Sequence, residues 1–288
     1  MSIASEITRL QTAKADIKAA IEGKGVTVPS EATLDDYADY IDEISGGGGG
    51  GIDWDDFVAG TYPSGAVVLD TTTNITAEYK FSKLTGITSV SAPLVTTINA
   101  EAVFRGCTHL ESVNFPLLTT VQKNYTFAEC SRLQVAHFPL LTTFGTGFLY
   151  RAFSLAANPI AVFPKLTATG TDAFRESNSN LIIDLGPNCT TLGIRTLYNF
   201  DCKGILILRS SSIVTCAAAN AIGAINTRAD ATIYIPKSLY DHLGDGSSLD
   251  YKAATNWSTA DGYGVITWAA IEGSQYENAY ADGTPISA

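Results

Sequence analysis

Charge is scarce in this chain. Asp, Glu, Lys and Arg make up 16% of its 288 residues, against about 25% in an ordinary soluble domain. What charge there is leans one way, with 29 acidic side chains against 18 basic ones and a formal net charge of −11. No basic stripe is available to displace counterions from phosphate, which excludes nucleic acid as a partner. Repulsion from anionic headgroups disfavours membrane surfaces in the same way. Long apolar runs are missing as well: no stretch approaches the roughly 18 apolar residues of a membrane span. Met1–Leu10 has neither the basic start nor the apolar centre of a secretory signal, which predicts a product made in the cytoplasm of the producing cell.

The residue patterns of catalysis are absent too. His109, His137 and His242 are the only histidines and share no metal-ligand spacing. No G-x-S-x-G, H-E-x-x-H or Walker loop occurs. The glycine run Gly46–Gly51 lacks the lysine and preceding strand that cradle a phosphate. Asp245–Asp250 carries too few carboxylates at alternate positions for calcium and reads as a turn. The adjacent pairs Asp35-Asp36 and Asp55-Asp56 point apart instead of facing across a cleft. The expectation is a non-enzyme with no cofactor and no metal, and no binding residue is assigned. The cysteines, Cys107, Cys130, Cys189, Cys202 and Cys216, are odd in number and form no C-x-x-C pair.

What the chain does have is a repeat. Phe-Pro-Leu-Leu-Thr-Thr occurs at Phe115–Thr120 and again at Phe138–Thr143, with looser copies at Ala92–Thr97 and Phe163–Thr167. The prolines fall at 93, 116, 139, 164 and 187, in steps of 23, 23, 25 and 23. A period in the twenties is the signature of a solenoid, in which each unit buries its apolar side against its neighbours. Alignment by 23 makes Ile87/Leu110/Leu133, Val90/Val113/Ala136 and Ala92/Phe115/Phe138 buried columns. Ser89/Ser112/Val135 and Ser91/Asn114/His137 then face out, the alternation of a strand with one wet side. A second short strand follows each proline, through Thr97-Ile98, Thr120-Val121 and Thr143-Phe144. Phe104 and Phe127 recur three residues before Cys107 and Cys130, and Phe153 and Phe174 extend that column irregularly. A buried column suits a small apolar thiol.

The flanks differ in kind. Ile3, Ile7, Leu10, Lys14, Ile17 and Ile21 are spaced as a heptad seam with one polar member. Gly23 and Gly25 end that helix, and Pro29-Ser30 marks a turn. Thr33 and Asp36 then start a second helix carrying Leu34, Tyr37, Ile41 and Ile44. The expected organisation is a helical anchor and oligomerisation hairpin over residues 1–45 and a polyglycine linker over 46–51. An N-terminal cap over 52–86, repeats over 87–235 and a C-terminal cap and tail over 236–288 follow. The fold class is mainly β, a short solenoid joined to an α-helical hairpin. The hairpin is too small to hold a core alone, which predicts a homo-oligomer, with a trimer preferred.

The unit Phe104–Pro116, with its phenylalanine, its cysteine three residues on and its leucine-bearing strand ending in proline, resembles the BspA-type leucine-rich repeat. Phe127–Pro139 matches it too, and Ile233–Leu239 through Tyr251–Trp257 is similar to that family's closing segment. Ala156 and Ser177 stand where the pattern has cysteine. Ile17–Pro29 and Tyr37–Ile41 resemble the N-terminal module of structural proteins from phages of gut bacteria. Together the resemblances imply a virion protein of tail, fibre or baseplate, attached to other virion proteins through residues 1–45. Its solenoid, with a neutral polar face near Tyr125 and Tyr150, would meet a host-surface glycan or protein or a neighbouring virion protein. The alternative they imply is a bacterial BspA-like surface adhesin.

Overall fold

The computed structural model describes residues 3–22, 27–30, 32–33, 64–177, 180–198, 204–218, 221–222, 232–257 and 267–279. The chain divides into two units, Met1–Asp53 and Trp54–Ala288. In the first, the heptad-spaced segment is helix α1, Ile3–Glu22, with Lys18 and Glu22 paired at 3.7 Å across one turn. Of its seam, Ile21 is buried and Ile17 is 40% exposed. The Pro29-Ser30 turn is present, closed by the Ala32 N–H donating to the Pro29 carbonyl at 3.3 Å. The second helix over residues 34–45 and the glycine run 46–51 lie outside the described residues.

The second unit is a β-solenoid of about seven turns. Its main sheet is parallel throughout and holds nine strands: β1 (Gly65–Val68), β3 (Ile87–Ser91), β5 (Ser112–Asn114), β7 (Val135–His137), β8 (Ile160–Phe163), β9 (Ile182–Leu185), β11 (Ile205–Leu208), β13 (Thr232–Ile235) and β14 (Thr267–Ala270). The second short strand after each proline builds two narrower parallel sheets. One holds β2 (Asn74–Ile75), β4 (Thr97–Ile98) and β6 (Thr120–Val121), and Thr143 bridges to Thr120 beyond it. The other pairs β10 (Thr191–Leu192) with β12 (Thr215–Cys216).

Parallel pairing in register sets each residue over its equivalent one turn away: Val90 opposes Val113, and Ala136 opposes Ala161. Ile87, Leu110 and Leu133 are fully buried, as are Ala92, Phe115 and Phe138. Val113 departs from its column and is only half-buried where Val90 and Ala136 are buried. Within the segment expected as a cap over 52–86, the described residues 64–86 pair with the repeats as a first turn. Strand β1 pairs β3 with the register of the later turns, and Phe81 stacks on Phe104 at 4.9 Å and 1°. Phe104 stacks on Phe127 in turn, at 5.2 Å and 2°. Such offset ring stacks add to the area each side chain buries.

The next turn is one residue shorter, and it moves the column. Phe127 N–H donates to the Phe148 carbonyl and Leu149 N–H to that of Ala173, so the column position after Phe127 is Leu149, followed by Phe174. Phe153 is buried but lies four residues further on, with its N–H on the Cys130 carbonyl. The cysteine column follows the same correction. Cys107 Sγ contacts the Phe81 carbonyl at 3.0 Å, Cys130 Sγ that of Phe104 at 3.2 Å, and Ser177 Oγ that of Leu149 at 3.2 Å. Ser177 thus keeps the cysteine's contact. Ala152, and not Ala156, holds the equivalent place one turn earlier, with its N–H on the Leu149 carbonyl.

The paired threonines of the repeat divide two tasks. The second starts the short strand, whereas the first ties successive turns together. Thr119 Oγ1 donates to the Thr96 carbonyl at 3.0 Å, Thr142 to Thr119 at 2.9 Å, Thr167 to Thr142 at 3.1 Å, and Thr190 to Thr167 at 3.5 Å. The solenoid closes on an aromatic cluster. Tyr251 lies 5.1 Å from both Trp257 and Trp268, its hydroxyl accepts the Val214 N–H, and Trp257 Nε1 donates to the Val214 carbonyl. Ahead of that cluster Lys237–Tyr240 forms a single short helix, α2.

The segment after β14 folds back over the solvent side of the main sheet. Ile271, Tyr276 and Ala279 pack on Ile160, Val162 and Ile207. Arg209 fixes this strap: it grips Asp184 with Nε and Nη2 and donates to the carbonyls of Tyr276 at 2.9 Å and Ala279 at 2.8 Å. Burial raises the Asp184 carboxyl even against Arg209, as expected where desolvation offsets most of a buried pair's attraction. The chain is therefore packed through Ala279.

Phe127 has ring neighbours in both columns, at 5.2 Å from Phe104 and 5.7 Å from Phe138. Phe127→Ala is expected to cost about 3–5 kcal/mol, whereas Tyr79→Ala, at a 55% exposed site, should stay within about 0.5 kcal/mol. Urea unfolding of the two variants checks the difference, and equal losses would refute the stacked core.

Candidate functional site

Between Tyr79 and Arg195 the turns of the solenoid pass two corners where the backbone takes positive φ. The first runs through Tyr79, Ala102, Tyr125, Gly147, Asp172 and Arg195, at φ between 48° and 63°. The second runs through Lys83, Gly106, Glu129, Arg151 and Glu176, at φ between 54° and 73°. A side chain in this left-handed region costs roughly 1–2 kcal/mol, and glycine would avoid that cost. The corners are held by a backbone ladder. Tyr125 N–H donates to the Thr146 carbonyl and Asp172 N–H to that of Ile194, both at 2.9 Å. At the second corner Glu129 N–H donates to Tyr150 at 2.7 Å and Arg151 N–H to Arg175 at 2.9 Å.

From Arg105 in the second turn on, the corners and the residue between them carry aromatic and charged groups that meet across turns. Tyr125 and Tyr150, named above from the sequence, are brought together edge to face at 6.3 Å. Gly147 makes room for this: a Cβ there would run into the Tyr125 ring. Arg105 lies 5.5 Å over Tyr125, and Arg151 and Arg175 lie 5.1 and 5.6 Å over Tyr150. Arg175 also lies 5.3 Å over Tyr198, so its guanidinium is shared between two tyrosines.

The carboxylates complete the network. Glu129 pairs with Arg105 at 2.9 Å, and Glu176 with Arg151 at 2.6 Å and Arg175 at 3.0 Å. Asp172 takes a two-pronged contact from Arg195, both arms 2.7 Å, and lies 3.5 Å from Arg175. The hydrogen bond that Arg151 donates to Glu176 holds its guanidinium above its usual range, and the bonds from Arg195 to Asp172 do the same for Arg195. Tyr150 is raised, first by burial and then by Glu176, so its hydroxyl keeps its proton at neutral pH. Contrary to the expected neutral polar face, the surface around Tyr125 and Tyr150 is charged and internally paired. Arg105, Glu129, Arg151, Asp172, Arg175, Glu176, Arg195 and Tyr198 were not singled out from the sequence. Their signal was present in it: Arg105/Glu129, Arg151/Glu176 and Asp172/Arg195 lie 24, 25 and 23 residues apart, one turn each, in a chain otherwise poor in charge.

The other sequence candidates are placed apart. His137 is half-buried on the solvent side of β7, lowered by burial, and its Nε2 has no hydrogen-bond partner. Asp245–Asp250 is a turn whose carboxylates accept backbone N–H groups, with His242 Nδ1 2.7 Å from Asp245. Among the described residues no three of His, Cys, Asp and Glu converge as metal ligands. A cavity of about 230 Å³ beside the strap is lined by Lys165, Asp184 and Arg209 with Val162, Pro164, Gly186 and Pro187, and its central charges already satisfy each other. No helix of the described residues is long and apolar enough to cross a membrane.

These features define a class, a parallel β-solenoid of short leucine-bearing turns that carries side chains at left-handed corners. The BspA type leucine rich repeat region, in six copies, matches residues 64–180 and 124–220, together more than half of the chain, and the chain belongs to that family. No curated protein and no solved structure matches it.

Cys107, Cys130, Cys189 and Cys216 are buried free thiols. Burial pushes Cys107 and Cys216 up to about 12 and Cys189 to about 11, and Cys130 well above its ordinary value. Thiolate is the reactive form. Iodoacetamide at pH 8 should therefore leave these four unlabelled in the native protein and label all of them in denaturant, as peptide mass spectrometry would show. Fast native labelling of any of the four would contradict the burial of that thiol.

Proposed function

We propose that this chain is a non-enzymatic display protein whose solenoid presents its left-handed corner face to a host surface. One observation carries the reading. Positions where glycine would be least strained are occupied by Tyr125, Glu129, Arg151, Asp172, Glu176 and Arg195, and backbone strain spent on large polar and aromatic groups is a mark of function. A solenoid needs only its buried columns to stand, and Ala102 and Gly106 fill the same corners one turn earlier without such groups.

In this reading residues 1–45 mount the chain, as a homo-oligomer, on the tail, fibre or baseplate of a phage particle. The support is the heptad seam of α1 and the resemblance of Ile17–Pro29 to phage structural modules. Several copies on one particle would gain avidity without strong single-site affinity. The second reading, a bacterial surface adhesin, is favoured equally by membership of the BspA-type family. The two differ in what residues 1–45 attach to.

Fluorescently labelled full chain should adhere to host cells, and Tyr150→Ser/Arg151→Ser should reduce adhesion at least about tenfold, the loss of two interface anchors, with the unfolding midpoint little changed. Full adhesion by a folded double variant would remove this face from the function. Deletion of residues 1–45 should abolish both the oligomer, read by sedimentation, and incorporation into particles. A truncated chain that does both would refute the anchor. Release of reducing ends from host polysaccharide by the full chain would overturn the non-enzymatic assignment.

A further inference from the structure

The strap that follows β14 is attached to the solenoid differently from the turns beneath it. Its last rung on the main sheet is Ile271, whose N–H donates to the Ile235 carbonyl at 2.9 Å. Beyond that residue the strap bonds to itself. Ser274 N–H donates to the Ile271 carbonyl, Glu277 to that of Ser274, Ala279 to that of Tyr276, and Gly273 to the Glu277 carboxylate. From Gly273 on, the described polar ties to the solenoid run through one side chain. Arg209 Nη2 donates to the carbonyls of Tyr276 at 2.9 Å and Ala279 at 2.8 Å, and Nη1 to that of Glu277 at 3.4 Å.

Beneath the strap, Val162, Asp184 and Ile207 stand side by side on β8, β9 and β11. An aliphatic residue at 184 would continue that apolar row and desolvate no charge. Asp184 is instead almost fully buried there and accepts from Arg209 Nε at 2.9 Å and Nη2 at 2.8 Å. A buried pair of this kind adds little stability over an apolar replacement. What it does add is aim: the carboxylate fixes the guanidinium plane, and the other N–H groups of that plane meet the strap. A cavity of about 230 Å³ opens against both residues, which gives water a side entrance to the pair.

The apolar grip of the strap is slight by comparison with a solenoid turn. Beyond Gly273 its buried apolar residues are Tyr276, edge to face with Tyr234 at 4.8 Å, and Ala279. Gly273 itself has φ +80° and nothing within 4 Å of where a Cβ would stand, as a hinge requires. Lifting Tyr276 and Ala279 would therefore break no rung of the sheet. It would uncover Ile160, Val162 and Ile207, with the partly buried Ile182, Ile205 and Tyr234 beside them. Few buried contacts and no shared ladder are the marks of a segment that opens on its own.

We propose that residues 273–279 form a hinged cover over a concealed apolar surface of the sheet, with Arg209 as its catch and Asp184 as the positioning residue that aims the catch. The cover is independent of what the corner face or residues 1–45 engage. Hydrogen exchange of the full chain, read by peptide mass spectrometry at increasing low urea, tests it. The strap amides should exchange ahead of β8, β9 and β11, through an opening that exposes little surface and so responds weakly to urea. Arg209→Lys keeps a positive charge for Asp184 but loses the planar fork, and should speed strap exchange at least about tenfold with the strands little changed. Asp184→Asn should speed it as well. The two changes together should fall short of the product of their separate effects, because Asp184 acts through Arg209. Strap amides that exchange only with the strands, at one urea dependence, would overturn the cover. Strap exchange unmoved by Arg209→Lys would overturn the catch, and a full product in the double variant would overturn the positioning role of Asp184.

Discussion

Everything in the solenoid depends on parallel strands pairing in register, so that each residue sits about 4.8 Å from its counterpart one turn away. Under that constraint a residue is chosen less for its own surroundings than for its fit to copies of itself. Phenylalanine stacks on phenylalanine with rings 1° and 2° from parallel through the first three turns. Threonine hydroxyls find the carbonyl of the threonine one turn back. Cysteine, and serine in its place at Ser177, reaches a carbonyl of the phenylalanine column one turn back. The same geometry would destabilise a column of like charges, because repulsion at that spacing would repeat at every step.

The corners show how the chain resolves that problem. Along the second corner Glu129, Arg151 and Glu176 alternate in sign, and along the first Asp172 is followed by Arg195. Between the corners Tyr150, Arg175 and Tyr198 alternate ring with cation. Low overall charge and dense local charge are therefore compatible: the chain concentrates its ionic groups where successive turns can pair them. Left-handed corners accept side chains because the corner N–H groups from Tyr79 through Glu176 are bonded to the neighbouring turn, and that ladder offsets the strain of each position.

Period and burial were legible in the sequence because Phe-Pro-Leu-Leu-Thr-Thr repeats every residue type that the buried columns require. The aromatic end cluster was legible too, in the density of Trp257, Trp268 and their neighbours. Three features were not. The first turn at Gly65–Val68 lacks the proline signature that marks the others, so its membership rests on pairing with β3. The move of the phenylalanine column to Leu149 follows from a 22-residue step from Phe127, which alignment at a constant 23 conceals. The corner face was hidden because left-handed backbone is ordinarily read from glycine, and here only Gly106 and Gly147 announce it. Phe153, three residues before Ala156, imitated the column by spacing alone.

A solenoid conducts its constraints along one axis, and this separates what stabilises the chain from what it shows to a partner. The columns inside tolerate few changes, since a wrong residue disturbs the turns on both sides. The corners tolerate many, as Ala102 and Gly106 demonstrate beside Tyr125 and Glu129. The strap adds a second asymmetry. Over β8 to β11 the solvent side of the sheet turns apolar, with Ile160, Val162 and Ile207, and the chain covers it with its own Ile271, Tyr276 and Ala279, gripped by Arg209. The sheet face is thereby partly spent on internal packing, and the corner is left as the described surface where aromatic and ionic groups are both rigid and outward. Function on this fold is best sought where side chains are strained, paired and unneeded by the core.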